Sequence, residues 1–222
     1  PGTGQLFSRT GWDTGALWLQ FAASPYVQSH AHQDQGSFTL FQGDWLAVTE
    51  NIWTHSGIQQ GTDTNNVVRF EHNGAIVPQR EGTTSTMTVT PGSNGDVHAV
   101  ANLTPAYGSG SDVTSWQRTI DFAARKLTVR DVFTMTGGTQ AIFQINLPTQ
   151  PVISGKTAKA GALTIRVLSP ANATLSALDW TTQNTPADTE FLSGWRLDVA
   201  GGASGYVVEL DASDTIFADG FD

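Results

Sequence analysis

Hydrophobic and polar residues alternate along this chain in short runs, broken by Gly, Asn, Asp and Pro. In Lys126–Met135, for example, Leu127, Val129, Asp131 and Phe133 alternate with Thr128, Arg130, Val132 and Thr134, the period-2 pattern of a strand with two unlike faces. The same reading predicts strands at Ala16–Ala22, Ser37–Gln42, Trp45–Glu50, Asn66–Phe70, Thr84–Thr90 and Asp96–Leu103. Further strands are predicted at Ser115–Phe122, Gln140–Leu147, Ala162–Leu168, Gly194–Ala200 and Gly205–Asp211. Gly43-Asp44 and Gly137-Gly138 carry the signal of type II′ hairpin turns. Thr181–Asp188 reads as a surface loop, and the tail at 216–222 is expected to fray. No segment holds a helical stripe, and no unit repeats at the spacing of a solenoid or propeller. The prediction is an all-β, antiparallel stacked-sheet β-sandwich, one domain over residues 1–222.

Composition narrows the function classes. The 222 residues are enough for a sizeable core. With 23 Gly and only 14% charged residues, the profile is not that of a helical bundle. There is no cysteine, so disulfides, zinc–thiolate sites and thiol catalysis are excluded. A net charge of −9 argues against a nucleic-acid partner, since no basic surface is available to displace counterions. No apolar run is long enough for a membrane-spanning helix, and no membrane partner is expected. The acidity is uneven: residues 171–222 carry nine Asp and Glu against one Arg, whereas residues 101–170 carry seven Lys and Arg against three acids. The chain begins at Pro1 with no secretory leader, which is expected of a numbering that starts inside something longer or after processing.

Candidate chemistry centres on histidine. Two of the five histidines fall within Ser29-His30-Ala31-His32-Gln33-Asp34. On an extended strand His30, His32 and Asp34 would share a face. Such a group suits a metal site, a metal-binding His beside a catalytic His, or a pair with ordinary hydrogen bonds. A hairpin after Phe38–Phe41 would return Glu50 toward this end and complete a two-His, one-carboxylate set. His98 is a candidate third ligand from a distant strand. A cupin also uses His-x-His but needs a Glu about four residues on, where this chain has Gly36 and Ser37.

Phe7-Ser8-Arg9-Thr10-Gly11-Trp12, Ala16-Leu17-Trp18-Leu19-Gln20-Phe21 and His30-Ala31-His32-Gln33-Asp34-Gln35-Gly36-Ser37-Phe38 together resemble the β-domain of heparinase II/III-like polysaccharide lyases, a group with relatives acting on alginate and other uronate polymers. Thr64-Asn65-Asn66-Val67-Val68 resembles a family His-Asn-Thr-Val segment, with Asn65 in place of the His. Trp116-Gln117-Arg118-Thr119-Ile120 and Val129-Arg130-Asp131 resemble later family strands. The resemblance implies the C-terminal β-sandwich of an enzyme whose N-terminal α/α-toroid is missing from this chain. It implies β-elimination on an acidic polysaccharide, either alginate-like or a glycosaminoglycan, in the bacterial periplasm or outside the cell. Carried over residue by residue, it makes His30 the catalytic histidine and His32, Glu50 and His98 ligands of a structural Zn2+, with His55 the runner-up. Glu50 stands where the family has Asp, one methylene longer. The remaining catalytic groups belong to the toroid, so the isolated chain is expected to lack lyase activity.

Arg9, Gln33 and Trp53 are the candidate substrate contacts. For Arg9 a structural ion pair is the competing expectation. Gln33 and Gln35 are read as sugar contacts or plain loop residues. Asp34 is read as a loop-shaping acceptor, His72 as a hairpin residue and most of the seven Trp as core. Arg118, Arg125, Lys126 and Arg130 are expected on a solvated face. The alternative to the lyase reading is a non-catalytic carbohydrate-binding or structural β-sandwich module.

Overall fold

The computed structural model describes residues 3–27, 31–49, 61–183 and 194–212. Its strands are, in chain order, β1 (Gln5–Arg9), β2 (Trp18–Ala22), β3 (Pro25–Tyr26), β4 (Phe38–Gln42), β5 (Asp44–Ala47), β6 (Val68–His72) and β7 (Ala75–Ile76). There follow β8 (Thr83–Thr84), β9 (Thr86–Pro91), β10 (Val97–Asn102), β11 (Val113–Ala123), β12 (Lys126–Met135) and β13 (Thr139–Leu147). The last are β14 (Val152–Ser154), β15 (Thr157–Ala160), β16 (Leu163–Ser169), β17 (Thr174–Asp179), β18 (Trp195–Ala200) and β19 (Gly205–Asp211). Among the described residues there is no α-helix, only short 3-10 turns.

Pairing is antiparallel and yields stacked sheets, as the alternation predicts. One sheet of eight strands runs β14-β15-β16-β19-β12-β11-β10-β9, and a second of five runs β17-β18-β13-β6-β7. A four-stranded sheet, β1-β2-β4-β5, and a β3-β8 pair complete the architecture. Along β12, Leu127, Val129, Asp131 and Phe133 are the buried set, as the period of two requires. Inward residues of the eight- and five-stranded sheets meet in one core. Phe70 stacks edge-to-face on Trp116 and Phe133, with ring centroids 5.7 and 5.3 Å away. Phe143 lies 6.0 Å from Tyr206, whose hydroxyl donates to the Ala141 carbonyl at 2.6 Å. Leu19, Phe21, Phe38 and Leu40 of the four-stranded sheet join the same cluster.

Two differences from the sequence reading have clear causes. Gly137-Gly138 does not close a hairpin, because β12 belongs to the eight-stranded sheet and β13 to the five-stranded one. Only Gly138 has positive φ, the signature of a type II turn, which lacks the twist match of the primed hairpin turns. Strands β15 (Thr-Ala-Lys-Ala) and β17 (Thr-Leu-Ser-Ala-Leu-Asp) are weak strand formers in isolation, and their neighbours β16 and β18 supply the pairing. The Gly43-Asp44 hairpin does form, between β4 and β5, with Gly43 at φ +69°. The His72–Ala75 turn is also a hairpin, with both central residues, Asn73 and Gly74, at positive φ.

Candidate functional site

The segment 31–37, which carries His32, enters β4 through a backbone pinned from three sides. Gln79 acts as a substitute strand: its Oε1 accepts from the Gln35 N–H at 3.0 Å and its Nε2 donates to the Gln35 carbonyl at 2.8 Å. The Gln79 N–H in turn donates to Gln33 Oε1 at 3.0 Å. Gln35 is buried, with Nε2 donating to Thr83 Oγ1 at 2.9 Å, so it is an anchor and not a sugar contact. At Gly36 the chain turns with φ +94° over Leu103 and Trp116; a Cβ there would lie 2.6 Å from Leu103 Cδ1 and 2.8 Å from the Trp116 ring. Only glycine meets both demands.

The third anchor is Arg118. Its Nη1 donates to the carbonyls of Gly36 at 2.6 Å and Asn66 at 2.8 Å. Nε and Nη2 make a bidentate pair with Asp131, both at 2.8 Å, and Trp116 Nε1 donates to the same carboxylate at 2.7 Å. Neither charged side chain is exposed at all. This corrects the expectation of a solvated face for Arg118: it lies directly opposite Asp131 in the β11–β12 register, on the core side of both strands. Arg130, one residue out of that phase, is exposed as expected, and Arg125 and Lys126 are half-buried at the strand turn. A buried ion pair holds only when the remaining donors are satisfied, and here the carbonyls of Gly36 and Asn66 take Nη1.

Asn66 extends the frame. It receives Asn146 N–H on Oδ1 at 2.7 Å and donates Nδ2 to the Phe38 carbonyl at 2.6 Å, tying β13 to the start of β4. Asn65, where the resemblance expects a His, is buried beside the loop, with Nδ2 donating to the carbonyls of Gly61 at 2.9 Å and Gln33 at 3.4 Å. Its Oδ1 is buried without a hydrogen-bond partner among the described residues. Sequence reasoning missed Gln79 altogether, because no local pattern links it to Gln35, 44 residues away.

The candidates divide as follows. His30, Glu50, Trp53 and His55 lie outside the described residues. His32 is half-buried, and burial lowers its pKa, favouring the neutral imidazole that ligates metals. Burial pushes the Asp34 carboxyl up to about 6, against a smaller opposing effect from its backbone hydrogen bond; its backbone carbonyl accepts from Ser37 N–H at 2.7 Å. Gln33 spends its side-chain oxygen on Gln79. His98 is exposed on the outer side of β10, with Nδ1 2.6 Å from Asp121 Oδ1. No group of three His, Asp or Glu side chains that could hold a metal forms among the described residues. His32 therefore fits a metal by its protonation state, Asn65, bonded to the Gln33 carbonyl, has a buried Oδ1 with no partner among the described residues, and His98 holds Asp121 on Nδ1. Arg9, at the end of β1, makes no ion pair among the described residues and instead lies against Trp12 and Trp18.

No family model matches the sequence, and no curated protein does. Solved structures do match the fold. A structure described as the heparinase III BT4657 gene product aligns with TM-score 0.73 at 12% identity, over 96% of this chain and 36% of that one. A mutant of the heparan sulfate lyase HepC from Pedobacter heparinus aligns with TM-score 0.73 at 16% identity, over 95% and 35%. A mutant chondroitin AC lyase from Streptomyces coelicolor aligns at TM-score 0.50 and 12% identity, over 95% and 33%. This chain thus has the fold of a lyase β-domain and spans about a third of the length of the structures it matches.

Proposed function

We propose that this chain is the β-domain of a polysaccharide lyase that cleaves a uronate-containing polymer by β-elimination, and that it supplies the catalytic His30, which immediately precedes the braced segment 31–37 in sequence. The observation that carries the reading is the loop itself. It is held at Gln35 and Gly36 by Gln79 and Arg118. That is the rigid support a positioned acid–base group needs, on a fold otherwise seen in lyases.

The reaction sets three demands. A base must reach the proton at C5 of the uronate, an acid must protonate the leaving oxygen at C4, and the adjoining carboxylate must be neutralised as charge develops toward the enolate. The product carries a C4–C5 double bond. A histidine with a pKa near 6.5 suits the first role, or donation to the substrate. The other groups are assigned to a helical partner domain, so the chain alone is inactive.

His32, Glu50 and His98 would hold a zinc ion, with His55 the runner-up for the third side chain; Asp121 on Nδ1 leaves Nε2 of His98 to ligate. The metal would brace the loop in a structural role.

Elemental analysis of the purified chain tests the metal: one zinc per chain is expected, lost in His32→Ala. Activity is tested in a protein that carries both the helical and the β part. There His30→Ala should abolish formation of unsaturated uronate while leaving the melting temperature unchanged; wild-type turnover in that variant would overturn the catalytic assignment. If the wild-type protein binds the polymer yet never cleaves it, the non-catalytic carbohydrate-binding reading stands instead.

A further inference from the structure

One face of the four-stranded sheet is not what alternation alone would give. Leu19, Phe21, Phe38 and Leu40 point into the core, and the opposite face should be polar. Instead the register sets Arg9, Trp18, Phe41 and Trp45 side by side across all four strands. Trp18 and Trp45 are 38% and 46% exposed; Phe7, two residues along β1, is 66% exposed and Trp12 83%. At the β1 edge the Arg9 guanidinium lies over the Trp12 ring and 4.8 Å from the Trp18 centroid, the two indoles meeting edge-to-face. Phe7, Arg9, Trp12 and Trp18 line a cleft of about 540 Å3 whose far wall is the tip of the β9–β10 hairpin, at Asn94 and Gly95. That wall is fixed: Ser8 Oγ donates to the Gly95 carbonyl at 2.5 Å, and Gly95, at φ +81°, packs against the Arg9 backbone where a Cβ has no room.

We propose that this cleft is a subsite for an anionic sugar residue of a uronate-bearing polysaccharide, separate from the histidine loop. Arg9 has no carboxylate partner among the described residues, in a chain of net charge −9. Covering it with an apolar protein surface would bury an uncompensated guanidinium. A uronate offers both complements at once: a carboxylate for the guanidinium and an apolar C–H face for the indoles. The Arg9–Trp18–Phe41 row lies three residues, about 10 Å, along β4 from Phe38, where the loop joins the sheet. The cleft is thus offset along the sheet from the segment 31–37. The inference draws its polymer class from the lyase reading, but it is tested by binding alone, so loss of turnover and loss of the subsite are told apart.

The experiment titrates the 222-residue chain with an oligoglucuronate hexasaccharide and with cellohexaose, its neutral counterpart, by calorimetry and tryptophan fluorescence. Wild type should bind the acidic sugar and not the neutral one. Arg9→Ala and Trp18→Ala should each weaken binding about tenfold. Arg9→Lys should fall between, and Val132→Thr, on an exposed site of another sheet, should change nothing. Melting curves check that each variant is folded, and Arg9→Gln replaces Arg9→Ala if the latter is not. Equal binding of the neutral sugar, no binding by wild type, or wild-type affinity in Arg9→Gln overturns the proposal. So does sedimentation showing that the chain self-associates through this face, with Trp18→Ala monomeric and no sugar bound.

Discussion

At position 118 a guanidinium is removed from water and given four acceptor contacts: two on Asp131 and one each on the carbonyls of Gly36 and Asn66. Truncating such a residue leaves a buried carboxylate unpaired, and the expected cost of Arg118→Ala is about 3–5 kcal/mol, read as a fall in the urea midpoint. Tyr206 makes a second prediction at this scale. Its hydroxyl donates to Ala141 and accepts from Gly202 N–H, and burial pushes its pKa from the ordinary 10 up to about 12. Between those values the unfolded chain releases a proton that the folded chain keeps. The stabilisation is whole below about pH 10 and is lost as pH rises toward about 12. Burial raises Tyr107 as well, which adds to the same trend. Unfolding free energies measured across this range should fall, and Tyr206→Phe should flatten the slope while costing about 1–2 kcal/mol at neutral pH. Of these residues, the sequence marked Asp131 for the inner face through the alternation of β12, but Arg118 looked like a surface charge. Only its register opposite Asp131 shows otherwise.

Among the elements, the segment 31–37 behaves as a strand whose neighbour is one side chain. Gln79→Ala removes the partners of both the N–H and the carbonyl of Gln35, two buried backbone groups. It should cost about 2–4 kcal/mol and increase amide exchange at Gln35, while exchange in β11 and β12 stays slow. Gly36→Ala meets a positive φ and two core side chains together. A loss of about 1–3 kcal/mol is expected, seen in the same urea titration. A strand interior declares itself through its neighbours in sequence, so β12 and the β4–β5 hairpin were legible in advance. A clamp closed across 44 residues does not, and neither does a glycine pair that steers the chain to the opposite sheet at Gly137-Gly138.

For the whole molecule, the lyase reading predicts that the purified chain produces no unsaturated uronate from any uronate polymer, because its fold spans about a third of the structures it matches. Appearance of that chromophore with the isolated chain would sink the division of labour proposed above. Period-2 alternation, turn residues and the lack of helical stripes were enough to determine the all-β stacked-sheet class, since the side-chain period of a strand is written directly in the order of residues. The His-x-His block and its resemblance to uronate lyases were equally local, and so were visible in the sequence. The tertiary structure alone decided which charges are buried, that Gln79 and Arg118 hold the segment 31–37, that His98 pairs with Asp121, and that Arg9 lies among exposed indoles with no ion pair among the described residues. Each of those depends on strand register and sheet order, and these are set by how distant segments fill a common core.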